Sequence, residues 1–141
     1  MTAIEILRLN LISPLYYAPQ NDADPFNYKE GGGEKLFCFE LDKAKAQEFE
    51  PDITGFLGKP VFCGQAAGGA GGESCVEFPP GNYLFAQKRE ILSREGIAGM
   101  AAEIQQEGLW QRVLLGEKLY LRYLFEDGCS VTQLFRPYAE P

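Results

Sequence analysis

Lys118-Leu119-Tyr120-Leu121-Arg122-Tyr123-Leu124-Phe125-Glu126-Asp127-Gly128-Cys129-Ser130-Val131-Thr132-Gln133-Leu134-Phe135-Arg136 reads as two β-strands joined by a tight turn. Asp127-Gly128 is a preferred pair for a two-residue type I′ loop, because both residues tolerate positive φ. With that loop Glu126 pairs with Cys129, and the register follows: Leu124 with Val131, Arg122 with Gln133, Tyr120 with Phe135. These pairs share one face. The other face sets Leu119, Leu121, Tyr123 and Phe125 against Arg136, Leu134, Thr132 and Ser130, a better hydrophobic surface for a helix to pack on. Tyr120, Arg122, Leu124 and Gln133 are therefore expected to look away from that helix. Pro137 is expected to end the ladder, since it has no N–H to donate.

The helix lies just upstream. Between Ser93 and Glu107, Ile97, Met100, Ala101 and Ile104 recur at helical spacing, which predicts an amphipathic helix with one buried stripe. Ser93 is the expected N-cap, and Gly108 the expected left-handed residue that stops the helix. Gly96 and Gly99 each cost roughly 1 kcal/mol relative to alanine in a helix, and read as points where the backbone lies close to the sheet. Before the helix, Tyr83-Leu84-Phe85-Ala86 is apolar on both faces and so reads as a central strand. Pro79-Pro80-Gly81-Asn82 has the chemistry of a type II turn leading into it.

The first part of the chain is plainer. Residues 3 to 11 read as a strand ending near Pro14, and Tyr16 to Glu34 as a long loop rich in Pro, Asn, Asp and Gly. Tyr16, Tyr17, Phe26 and Tyr28 are candidates to cover a cleft from that loop. Lys35 to Leu41 is strongly strand-like, with Phe37, Phe39 and Leu41 on one side and Leu36 and Cys38 on the other. Asp42 caps a short helix that Pro51 closes. Pro60 to Gln65 and Ser74 to Phe78 are further strands, joined by a glycine-rich loop that lacks the Gly-Lys-Ser/Thr ending of a phosphate loop. Asn21-Asp22-Ala23-Asp24 lacks the glycine and distal glutamate of a calcium loop.

Residues 35–79 and 82–136 thus share the order strand, helix, strand, strand. The expected fold is a single α+β domain spanning 1–141, an antiparallel sheet with helices on one face, pseudo-duplicated as two β-α-β-β halves behind a strand and long loop at 1–34.

With 141 residues, 45% hydrophobic and 23% charged, the chain has the composition of a globular domain with a core of its own. A net charge of −7 argues against nucleic acid as a partner. No apolar run approaches a membrane span and no leader segment opens the chain, so a cytoplasmic location is expected. Cys38, Cys63, Cys75 and Cys129 show no C-x-x-C spacing, and the chain has no histidine. Four-cysteine zinc, a Cys63–Cys75 bridge and buried reduced thiols all stay open, the last being the ordinary reading. Ser-His and Cys-His nucleophilic machinery is excluded. No cofactor is implied.

The strand-helix-strand-strand order, Pro79-Pro80-Gly81-Asn82-Tyr83 before a strand, Trp110 after the helix and Tyr120-Leu121-Arg122-Tyr123 in a late strand resemble the GyrI-like (gyrase-inhibitor-like) effector-binding domains. The resemblance implies a cleft between the two halves that takes small organic molecules, with aromatic positions falling on Tyr83, Trp110, Tyr120 and Tyr123. The family's carboxylate position falls on Leu121, a departure that removes the usual preference for cations. Nothing like a helix-turn-helix accompanies the domain, so the implied role is a stand-alone sensor or scavenger.

Three functions remain in play. A small-molecule binding domain would use Tyr83, Phe85, Trp110, Tyr120, Arg122, Tyr123 and Gln133, a mix of apolar walls and few polar groups; the ordinary reading, residue by residue, is that the aromatics are core and that Arg122 snorkels to the surface or pairs with a carboxylate. An acidic interaction or inhibitor module would meet a basic protein. A small hydrolase of the GyrI-like type would draw acid and base groups from Glu77, Glu126, Tyr83 and Tyr123.

Overall fold

The structure is a computed structural model that describes residues 5–19, 24–26, 28, 33–41, 60–66 and 76–140. The expected helix after Asp42, the glycine-rich loop and Cys75 lie outside the described residues, as does the acidic run before Asp24. Within them the chain forms a curled antiparallel sheet and one helix, α+β in outline and mostly sheet in content.

The hairpin is as its turn dictates. Strands β8 (Lys118–Glu126) and β9 (Cys129–Ala139) pair with Glu126 opposite Cys129, Arg122 opposite Gln133 and Tyr120 opposite Phe135. Asp127 and Gly128 hold φ of 51° and 80°, the left-handed pair that a type I′ loop requires. Pro137 does not end the ladder. It lies opposite Tyr83, and its carbonyl accepts from Gly116 N at 2.8 Å, so β9 continues to Ala139 on the strength of acceptors. There β7 (Leu114–Leu115) pairs with Tyr138 and Ala139.

The remaining strands are β1 (Leu7–Leu11), β2 (Leu15–Pro19), β3 (Lys35–Glu40), β4 (Phe62–Ala66), β5 (Val76–Phe78) and β6 (Gly81–Lys88). They run β1-β6-β9-β8-β3-β4-β2-β5, with β7 attached to β9. Only Ile12, Ser13 and Pro14 separate β1, at one end of this path, from β2 near the other. The sheet therefore has to curl until its ends approach, and it acquires an inside and an outside. Gly81, at a φ of 146° open to glycine, begins β6 directly.

β2 corrects the reading of residues 16–34 as loop. Leu15-Tyr16-Tyr17-Ala18 has the aromatic bulk that suits a strand, and the place it occupies between β4 and β5 exists because Gly64 has no side chain. A Cβ there would fall 2.6 Å from Tyr17 Cβ and 2.7 Å from Val76 Cγ2. β2 also makes the two halves differ: β9 lies between β6 and β8, whereas β3 pairs directly with β4 and β5 is reached only through β2.

Helix α1 (Arg94–Trp110) covers the outside. Ser93 Oγ accepts from Gly96 N at 3.1 Å, the expected N-cap. Ile97, Met100, Ala101 and Ile104 pack on Phe37, Phe39, Leu84, Leu119, Leu121 and Leu134, the face the alternation assigned to it. Each large apolar side chain fully buried there contributes on the order of 2 kcal/mol. The helix does not stop at Gly108. It runs to Trp110, and Arg112 takes the left-handed position at φ 59°, with Arg112 N donating to Leu109 O at 3.1 Å and Val113 N to Gly108 O at 3.2 Å. Gly108 instead permits close approach, since a Cβ would lie 2.6 Å from Leu115 Cδ2 and 3.0 Å from Leu84 Cδ1. Gly99 faces open space, so the proximity expected at Gly96 and Gly99 occurs at Gly108.

Candidate functional site

The inside of the curl is built in rungs, because every second residue of each strand points inward and paired residues line up across strands. One rung runs Phe85, Phe135, Tyr120, Cys38, Phe62 across β6, β9, β8, β3 and β4. The next, two residues along, runs Gln87, Gln133, Arg122, Leu36, Gly64. The first is aromatic and the second largely polar.

Beyond the aromatic rung lies a cleft of about 550 Å3, whose walls include Pro79, Pro80, Tyr83, Tyr120, Pro137 and Tyr138, with Glu117 and Lys118 also lining it. Phe78 supports the walls from within, stacked on Tyr120 at 4.8 Å and edge-on to Tyr83 at 5.1 Å. The Tyr83 hydroxyl donates to Pro79 O, which fixes the ring against the proline corner. The opposite wall is held by Arg136. Fully buried, it donates from Nε to Gly116 O at 2.7 Å and from Nη1 to Gln105 Oε1 at 2.8 Å, tying the β7–β8 connection to α1. Burial lowers the Arg136 pKa to about 10, which leaves it charged at neutral pH.

Burial also sets the chemistry of the walls and of Cys38, which lies behind them opposite Tyr120. It pushes the Tyr83 pKa up to about 12 and the Cys38 thiol up to about 12. Tyr120 is raised as well, by burial first and then by Cys38 and Tyr83 beside it. At neutral pH all three keep their protons, so the cleft offers phenol and ring surface in place of phenolate or thiolate.

The polar rung is closed on itself. Arg122 donates to Glu34 Oε2 from Nη2 at 2.9 Å and from Nε at 3.2 Å, and from Nη1 to Gln133 Oε1 at 3.4 Å. Gln133 Nε2 donates to Gln87 Oε1 at 2.9 Å, and Tyr17 Oη to Glu34 Oε2 at 2.5 Å.

The seven residues singled out by sequence thus fall in five places. Tyr83 and Tyr120 line the cleft. Phe85 stacks on Phe135 at 4.9 Å as part of the inner packing. Arg122 and Gln133 belong to the polar rung. Tyr123 points to the opposite side of β8, where it stacks on Tyr28 at 4.3 Å and donates to Pro25 O; of the loop aromatics that are candidates to cover a cleft, Phe26 and Tyr28 instead cover the helix side, Tyr17 lies inside the curl and Tyr16 is exposed. Trp110 is 75% exposed at the end of α1. Alternation separates Tyr123 from Tyr120, and the helix running past Gly108 carries Trp110 away from the sheet. Of the hydrolase candidates, Tyr123 lies outside the curl and Glu126 is exposed in the hairpin turn, so neither joins Tyr83.

Tyr138, Glu117 and Lys118 were missed. Reading Pro137 as the end of a strand hid Tyr138, and the β7–β9 pairing that brings Glu117 to the cleft has no local signal. Every described residue lining the cleft lies within 79–138. No helix among the described residues is long and apolar enough to cross a membrane. Comparison of the sequence with protein-family profiles and with curated proteins gives no match.

Proposed function

We propose that this chain binds a small organic molecule with a flat apolar body and one or two polar groups in the cleft beyond the aromatic rung. The observation that carries this reading is the convergence of Tyr83, Tyr120 and Tyr138 with three prolines around about 550 Å3, a volume within the range of ligand sites. Rings and prolines supply flat apolar contact at low entropic cost, while Glu117 and Lys118 offer one group of each sign to orient a polar substituent. The effector-binding role implied by the GyrI-like resemblance is in keeping with Tyr83 and Tyr120. Trp110 and Tyr123 have no part in it, and the ligand class is set by Glu117 and Lys118 in place of a carboxylate at Leu121.

Thermal denaturation in the presence of a metabolite library tests the proposal. A true ligand at a hundred times its Kd stabilises by about 2.7 kcal/mol, and Tyr138→Ala should weaken it about tenfold through loss of ring contact. If no compound gives a saturable shift, or if the hits bind Tyr138→Ala as tightly as the parent, the cleft is not the site.

A further inference from the structure

The exposed side of α1 carries a second feature, away from the cleft. Glu103 and Glu107 lie four residues apart, as do Gln106 and Trp110, and the two pairs are offset by three, so all four share one helical stripe. Ile6, just ahead of β1, faces them across a groove of about 270 Å3. Trp110 is the chain's one tryptophan, and it stands 75% exposed. Tryptophan in such a position is over-represented among residues that anchor protein interfaces.

The charge of the groove says what fits it. Among the described residues its lining holds two carboxylates and no cation. Arg8, which reaches this end of the helix, is engaged elsewhere: Nε donates to Gln111 Oε1 at 2.8 Å, Nη1 pairs with Glu140 Oε1 at 3.0 Å, and the guanidinium lies 5.3 Å from the centre of the Tyr138 ring. Gln111 Nε2 in turn donates to Glu107 Oε1 at 3.0 Å, which fixes that carboxylate at the groove. A cation entering there meets Glu103 and Glu107 together with the face of an indole, and Ile6 is available to an apolar neighbour of that cation.

We propose that this groove docks a segment of a partner protein that presents an arginine or lysine flanked by apolar residues. The groove accommodates one long side chain and its neighbours, as suits a small, salt-sensitive, transient contact.

Titration of the intact protein with a short synthetic arginine- and leucine-containing peptide, followed by Trp110 emission, tests this, with a glutamate-for-arginine peptide as control. A saturable spectral shift with the basic peptide alone is expected. Its Kd should rise at least about tenfold in E103Q/E107Q and stay unchanged in E95Q/E126Q, which removes the same charge elsewhere. Circular dichroism of both variants should match the parent, since all four side chains lie at the surface or partly exposed. Equal weakening in the two double variants, or an unmoved Trp110 spectrum, would overturn the proposal. Saturation by tetramethylammonium at the same concentrations would overturn it too, by assigning the groove to a free organic cation. None of these variants touches the cleft, so the two readings stand or fall separately.

Discussion

The aromatic and polar rungs sit two residues apart on the same strands, yet one is open and the other is locked. Arg122, Gln133, Gln87, Glu34 and Tyr17 direct their hydrogen bonds at one another, so this network ties β2, the residue just ahead of β3, β8, β9 and β6 together. One step further on Tyr120, and two steps on Tyr83, present rings to a cleft. A polar pair on a buried face is thus a poor guide to a binding site when its partners lie within the chain; ring surface left facing a void is a better one.

Alkaline pH strikes both rungs and should have the largest effect. Tyr83 at the cleft has its pKa raised to about 12, and Tyr17 at the polar rung is raised further, both chiefly by burial. Unfolded tyrosine loses its proton near 10 while the folded residues retain theirs. Stability is therefore complete below about pH 10 and falls as pH rises toward 12 and beyond. The phenolate absorbance of the buried tyrosines and circular dichroism should change together in one transition; ionisation of every tyrosine at pH 10 with the fold intact would show that the inner tyrosines are wet.

Arg122→Ala comes next, and it separates the rungs. It leaves Glu34 and Tyr17 without their cation in a partly buried place and should cost about 2 kcal/mol in urea denaturation. The double variant Arg122→Met with Glu34→Leu should recover most of that loss, because the unpaired charge goes with it. Ligands of the cleft should bind the stable double variant as they bind the parent. A loss of binding there would return Arg122 to the site.

Tyr138→Ala should have the smallest effect on stability, under about 1 kcal/mol, because the ring is only partly buried at the rim. The same substitution weakens ligand binding, so at the cleft end affinity and stability part company. A loss of stability as large as that of Arg122→Ala would mark the cleft wall as structural.

Much of the C-terminal half was legible in the sequence. Asp127-Gly128 dictated the turn, the turn dictated the register, and alternation then assigned Leu121 and Tyr123 to the helix side and Tyr120 and Arg122 to the other. The site was legible only in part. Tyr83 and Tyr120 could be picked out as aromatics on suitable strands, but Trp110 and Tyr123 could not be told from them by type alone. Tyr138 and Glu117 came to the cleft through β7, a pairing of two residues with no pattern of its own.

What the chain settles by itself is what depends on neighbours in sequence: the hairpin register, the N-cap at Ser93 and the apolar stripe of α1. The tertiary structure alone decided which remote strands meet. β2 finds its place between β4 and β5 because Gly64 leaves room for it, and Ile12 to Pro14 draw the two ends of the sheet toward each other. That curl is what divides one face into a packed interior and an open end, and no local propensity encodes it, since closure rests on contacts between residues far apart in the chain.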